Sequence, residues 1–339
     1  GGYSLAPATG TASLDNIADG TTYKRVAAAY ADRINAAQYF SRHLMYQSSV
    51  TVSGTLYDIS HVVSLGSGVL VAGTNGTGKI LRSTDNGFSW SIVQSTSSSS
   101  AGVQVFTMYG STSVLYAVQH NATTAYKSTD GGASWSTFTL PISSARSFFA
   151  FDENNFVLGG GYSSTYYSTN GGATWNVATG GLINCYGFGY IDGVLFGQVS
   201  SGNIFKSTDY GQSWTEISNS YKSYEIENYL KIGSSIFAFG FNVNNKYQII
   251  KSTDNGSTWS NIYQNLTYSN TGFVSALIDP YESSVIYAAG TSGLVVSSDS
   301  GSSWRTIRSP FLANTNTLVF SDSLGVGVIS RGNIYRIGG

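Results

Sequence analysis

Charge is scarce in this 339-residue sequence. Lys, Arg, Asp and Glu make up 10% of it, against roughly 25% in an ordinary soluble domain. The 17 basic and 18 acidic side chains nearly cancel, to a net charge of −1. So neutral a surface has no field to draw in nucleic acid or an anionic membrane. Cysteine is reduced to Cys185, which excludes an intrachain disulfide framework and a Cys-based zinc site. The three histidines, His43, His61 and His120, are scattered without metal-ligand spacing, so neither a metal nor another cofactor is expected. No stretch approaches the roughly 18 uninterrupted apolar residues of a membrane-spanning helix, so no membrane insertion is expected. A basic segment leading into an apolar one, the mark of a signal peptide, is missing. The sequence opens Gly1-Gly2 without Met, and a processed or omitted N-terminus is expected.

What is present is apolar and small. Hydrophobic residues make up 41% of the chain and aromatic ones 14%, which excludes wholesale disorder. Gly (40) and Tyr (24) are abundant, and Pro (4) is rare.

All six tryptophans close one recurring phrase. It runs Ser83-Thr84-Asp85-Asn86-Gly87-Phe88-Ser89-Trp90, and returns ending at Trp135, Trp175, Trp214, Trp259 and Trp304, at spacings of 45, 40, 39, 45 and 45 residues. The acid is Asp85, Asp130, Asp209, Asp254 and Asp299, with Asn170 in the third copy. Between the phrases lie paired apolar strands joined by polar turns: Val62–Thr74, Val105–Gln119, Phe148–Gly160, Tyr186–Val199, Asn228–Gly240, Val274–Gly290 and Leu318–Ser330. Short strands repeating every 40–45 residues specify propeller blades, each reading strand A, strand B, strand C, box, strand D. Seven hairpins against six boxes leave the last blade without its fourth strand. Val50–Thr55 is expected to supply it by pairing with Asn333–Ile337, closing the ring.

Ahead of the repeats, Tyr23, Val26, Tyr30, Ile34, Ala37, Phe40 and Leu44 recur at helical steps of three and four, after a cap at Asp19-Gly20-Thr21-Thr22. The expected organisation is residues 1–47 as an extended segment plus amphipathic helix, used for anchoring or oligomerisation. Residues 48–339 form an all-β, seven-bladed propeller of four-stranded blades.

The phrase Ser-x-Asp-x-Gly-x-Ser/Thr-Trp resembles the Asp-box (BNR) repeat of sialidases, xyloglucanase-like glycosidases, the sortilin ectodomain and photosystem II assembly factors. The resemblance implies a propeller with its boxes on the blade rim. It implies no single activity, because these families do unrelated things. A structural role fits the chemistry of the box. The acid accepts turn N–H groups, Gly tolerates positive φ, and Trp buries a large ring. Asn170 keeps an acceptor oxygen, so its turn should survive without the charge.

Gly73-Thr74-Asn75-Gly76-Thr77-Gly78-Lys79 has the spacing of a phosphate-binding loop, but Ile80 replaces the metal-binding hydroxyl and a strand follows instead of a helix; a turn is expected. Sialidase chemistry lacks its arginine cluster. Only Arg146 falls at the start of an inner strand, and the Arg-Ile-Pro signature is absent. A glycosidase needs two carboxylates across a cleft. Asp152, Asp192, Asp279 and Asp322 fall in hairpin turns. Glu225 and Glu227 alternate on the inner strand that begins unit five, so both should point to one side. With Asp58, Arg146 and Tyr224 they are the candidate ligand-binding residues lining one mouth of the channel, and Glu225 and Glu227 would be the catalytic pair of an enzyme. Cys185 reads as a buried small residue.

Ser, Thr, Asn, Gly and Tyr dominate the loops. Aromatic residues at Phe148-Phe149, Tyr162, Tyr166-Tyr167, Tyr221, Tyr224, Tyr263 and Tyr268 suit contact with sugar or protein. This composition resembles phage tail and tail-fibre proteins. Ser13-Leu14-Asp15-Asn16-Ile17-Ala18-Asp19-Gly20-Thr21-Thr22-Tyr23-Lys24-Arg25-Val26 is similar to a segment recurring in phage virion proteins, which implies an anchoring module before a display domain. The leading expectation is a non-enzymatic virion protein, extracellular or on the particle. It would contact other virion proteins through residues 1–47, further copies of itself, and a cell-surface glycan or protein receptor. A carbohydrate-active enzyme using the channel mouth is the alternative.

Overall fold

The computed structural model describes residues 45–97, 102–161, 164–181, 184–199, 201–217, 223–242, 247–264, 273–290, 293–307, 315–321 and 325–337. The expected helix and residues 1–44 lie outside them. Every regular element among these residues is a strand. They form seven four-stranded antiparallel sheets and one two-stranded ladder. The seven A strands are Ile59–Gly66, Val103–Thr107, Ala145–Ala150, Cys185–Ile191, Ser223–Ile232, Phe273–Ile278 and Thr315–Ser321, and they neighbour one another around the central axis. The chain is a seven-bladed propeller built on Asp-box repeats, as the spacing predicts.

Burial explains why each strand reads as it does. The B strands, such as Leu115–Gln119, Phe156–Gly160 and Ile286–Gly290, are buried at every position because a neighbouring blade covers each face. The outer D strand Ser91–Ser95 is mostly exposed, and its sequence is correspondingly polar. Seven core clusters form, one at each joint between blades. Phe148, expected as a contact aromatic, belongs to the core between blades 2 and 3, where it is 2% exposed.

The ring closes through an N-terminal strand, but not the one expected. Met45–Ser49 pairs with Asn333–Ile337, matching Met45 to Arg336 and Ser49 to Asn333. Val50–Thr55 instead turns back on itself: Thr51 pairs with Leu56 and Val52 with Thr55, around Ser53 and Gly54 at positive φ. A Ser-Gly turn closes a two-residue hairpin more readily than it extends a strand. The propeller therefore includes Met45–Ser49, which starts upstream of the expected boundary at residue 48. Val50 is fully buried and packs with Ile59, Trp90, Val319 and Ile334, joining blades 7 and 1 through side chains as well as backbone.

The antiparallel order A-B-C-D puts the A–B hairpins and the boxes on one face of the ring. The B–C loops and the D-to-A connections lie on the other. Six of the seven A strands carry a register irregularity at their first residues, on this second face. Only Val103–Thr107 pairs regularly. Bulges re-aim side chains and strengthen twist, and here they ring the channel mouth.

Candidate functional site

The boxes are structural, and their geometry repeats. In the first, Ser83 Oγ donates to Asp85 Oδ1 at 2.8 Å and accepts from the Gly87 amide at 2.8 Å. The Ser89 amide donates to Asp85 Oδ1 at 2.9 Å, Ser89 Oγ donates to Asp85 Oδ2, and Trp90 Nε1 donates to the Gly87 carbonyl at 3.0 Å. The carboxylates of Asp130, Asp209, Asp254 and Asp299 accept the same bonds. Accepting N–H and O–H bonds favours the charged form, and Asp130 and Asp254 are held down at about 2. Asn170 reproduces the turn: Oδ1 accepts from the Thr174 amide at 2.9 Å, and Nδ2 donates to Thr174 Oγ1 at 2.8 Å. Trp135, Trp214 and Trp259 bond the box glycine as Trp90 does. Trp175 reaches across to the Thr139 carbonyl instead, and Trp304 packs edge-on against Phe239.

The box glycines show a constraint that the repeat alone did not reveal. A Cβ on Gly211, Gly256 or Gly301 would lie 2.3 Å from Val157, Phe196 or Phe237, each on the B strand of the preceding blade. These glycines serve both the turn, with φ near +80°, and the joint between blades.

The expected site lies on the opposite face. A cavity of about 400 Å³ opens there, lined by Ser60, Asn75, Gln104, His120, Arg146 and Tyr186, with Gly102 and Ala145. Ser60, Gln104, Arg146 and Tyr186 are each the second residue of an A strand, in blades 1 to 4 in turn. Asn75 and His120 come from the adjacent B–C loops. The residue before each of the four, Ile59, Val103, Ala145 or Cys185, is buried at the blade joint. In blades 1, 3 and 4 the second residue is one that the ladder skips, so the bulge re-aims Ser60, Arg146 and Tyr186 to the mouth.

Cross-blade bonds fix this rim. Ser60 Oγ donates to the Val103 carbonyl, and Ser147 Oγ donates to the Cys185 carbonyl at 3.2 Å. The Ile226 amide donates to Gln198 Oε1 at 3.2 Å, which satisfies an amide inside the irregular part of blade 5. Arg146 lies over Gly161, where a Cβ would stand 2.6 Å from Nε, and its guanidinium rests 4.7 Å from the centre of the Tyr186 ring. Burial pushes the Cys185 thiol up to about 12, so it packs as a small apolar group.

Of the candidate residues, the structure brings Asp58 and Arg146 to this mouth. Asp58 accepts a bond from Asn75 Nδ2 at 3.4 Å, and its carbonyl accepts from the Asn75 amide at 2.8 Å. Tyr224, Glu225 and Glu227 lie on Ser223–Ile232, whose register shifts between Tyr224 and Asn228. The simple alternation that paired Glu225 with Glu227 is therefore interrupted there. Ile226 is fully buried, so Glu227 holds the register position after the buried residue, as Arg146 does after Ala145. Ser60, Gln104, Asn75, His120 and Tyr186 escaped the sequence reading. The shared signal was available, since in blades 1 to 4 each A strand pairs a buried first residue with a polar second one. The phosphate-loop look-alike is a B–C loop, in which Thr74 Oγ1 accepts from the Lys79 amide at 2.8 Å.

Known proteins resemble the chain at the level of this architecture. A profile described as sortilin, neurotensin receptor 3, matches residues 78–192. No curated protein matches by sequence. The structure titled "YCF48 bound to D1 peptide" has 16% identity and a TM-score of 0.64, covering 87% of this chain and 98% of that one. YCF48 from Cyanidioschyzon merolae has 15% identity and a TM-score of 0.61, covering 86% and 98%. The GH74 enzyme of Niastella koreensis has 18% identity and a TM-score of 0.65; the match covers 86% of this chain and only 53% of the enzyme. Identities this low establish the shared fold alone.

Proposed function

We propose that the chain is a non-enzymatic recognition propeller displayed on a phage particle, as a tail or tail-fibre-like protein. In this reading residues 1–47 dock on other virion proteins or on sister copies, and the mouth cavity takes a hydroxyl-rich group of a cell-surface glycan or protein receptor. The similarity of residues 13–26 to a virion segment supports the setting. The observation that carries recognition is the cavity lining. Four blades contribute amides, a hydroxyl, a phenol, the His120 imidazole and one permanent cation, and the described lining holds no carboxylate. Such groups hydrogen-bond a polar ligand in both directions but do not include the pair of carboxylates that glycoside cleavage uses. A propeller of similar fold is titled as binding a peptide, which supports non-catalytic recognition as a use of this architecture. Individually weak contacts become useful through many copies on one particle.

The enzymatic reading rests on Asp58 beside Asn75 and on the register position of Glu227. A glycan array probed with the intact chain and with Arg146→Ala, Glu225→Gln and Glu227→Gln separates the two. Recognition expects retention on a glycan subset, roughly tenfold or more weakened by Arg146→Ala with folding intact, and no product from any glycan. Hydrolysis that disappears in either glutamine variant would replace this reading with the enzymatic one.

A further inference from the structure

On the box face, away from the cavity, blades 2 to 4 carry a strip of aromatic rings. Tyr109, in the A–B turn of blade 2, meets Tyr190 of blade 4 edge-on at 4.9 Å. Tyr190 meets Phe151 of blade 3 at 5.0 Å, and Phe151 meets Tyr210, in the box of blade 4, at 5.0 Å. Phe149 backs the strip, 4.8 Å from Phe151. The middle is anchored and the ends are open: Phe151 is 7% exposed, Tyr109 56% and Tyr210 49%. The Tyr109 amide donates to the Ala150 carbonyl at 2.9 Å, so the turn that carries it is tied to blade 3.

The fold does not ask for tyrosine at position 210. Its φ is +59°, in the left-handed region, where the sister boxes place Asn86, Gly131, Gly171, Asn255 and Ser300. A bulky side chain is disfavoured there, because Cβ crowds the following carbonyl. Burial, and then the neighbouring phenols of Tyr210 and Tyr109, raise the Tyr190 hydroxyl above its ordinary range. The nearby Asp152 carboxylate is committed to its own turn, accepting from the Asn154 and Asn155 amides and from Asn155 Nδ2.

We infer that this strip is a second binding site, and that its ligand is a neutral oligosaccharide. The C–H faces of successive hexose rings stack on Tyr109 and Tyr210, and their hydroxyls exchange hydrogen bonds with the phenols of Tyr109, Tyr190 and Tyr210. Two half-exposed rings offer a few hundred Å² at most, far below the roughly 1,000 Å² of a stable protein interface. The strip supplies no charge for an acidic ligand. This site is separate from the channel mouth and does not depend on the function proposed for it.

The test is calorimetric titration of the full chain with maltohexaose and with cellohexaose, repeated for Tyr109→Ala, Tyr210→Gly and Arg146→Ala. At least one oligosaccharide binds the parent. Tyr109→Ala and Tyr210→Gly each weaken it by roughly tenfold or more, and Arg146→Ala leaves it unchanged. Tyr210→Gly relieves the backbone but gives up the Phe151 contact, so its melting and circular dichroism are read beside the parent's, and loss of binding counts only with the fold intact. The inference is overturned if neither oligosaccharide binds, if binding survives both tyrosine substitutions, or if it is lost only with Arg146→Ala. A concentration-dependent dimer abolished by Tyr210→Gly would also overturn it, assigning the strip to contacts between copies.

Discussion

The amide of Val50 donates to the carbonyl of Gly332 at 2.7 Å, joining the two ends of the propeller's chain at one point. The side chain of Val50 is meanwhile buried between the first and last blades. Gly332, at φ +75°, sits so close that a Cβ would lie 2.3 Å from the Tyr57 carbonyl. Closure is thus a backbone ladder, an apolar plug and a close approach of two chain segments.

Truncation should find this boundary sharply. A chain starting at Met45 retains Met45–Ser49 and is expected to unfold in one cooperative transition near the parent's midpoint. A chain starting at Val50 leaves Asn333–Ile337 with an unpaired edge and exposes the core around Ile334. It should melt several degrees lower and aggregate on heating. Scanning calorimetry with light scattering measures both. Equal midpoints for the two chains would rule out Met45–Ser49 as the closing strand.

Box carboxylates should tolerate amide but not methyl. Asp209→Asn keeps an acceptor for the Ser213 amide, as Asn170 does for Thr174, and should change stability by no more than about 0.5 kcal/mol. Asp209→Ala leaves the buried Ser207 hydroxyl without its acceptor and gives the exposed Ser213 amide and hydroxyl to water, and should cost about 1–3 kcal/mol. Denaturant titration reads both. Equal losses would mean that charge, rather than hydrogen bonding, holds the turn.

Acid should act in two windows. Burial beside Phe106 lowers His61 to about 4, against an ordinary 6.5. The unfolded chain therefore takes up this proton first as pH falls. Stability is full above about 6.5 and declines down to about 4, by at most about 3 kcal/mol and less if water reaches the ring. The box carboxylates at about 2 keep their contribution until pH drops below about 4, and lose it toward 2. His61→Gln, which does not titrate, should flatten the upper window and leave the lower one. An unchanged slope between pH 6.5 and 4 in thermal melts of His61→Gln would assign that window to another group.

The sequence by itself determined the blade count, the place of every box and the need for a strand from the N-terminal side, because each follows from local repetition. The continuous apolar run of Leu115–Val118 and the Asp-x-Gly turns hold wherever they fall in space. Asn170 was legible for the same reason, since its acceptor oxygen acts within five residues. Tertiary structure alone decided what depends on a neighbouring blade. It chose Met45–Ser49 over Val50–Thr55, because only the assembled ring sets which strand meets Asn333–Ile337. It brought Ser60, Gln104, Arg146 and Tyr186 to one mouth from strands some forty residues apart in sequence. It also set Gly301 against Phe237 and Tyr210 against Phe151, contacts whose partners lie more than a full repeat away. A repeat fixes each unit's own turns and strands; the surfaces between units exist only once the ring is closed.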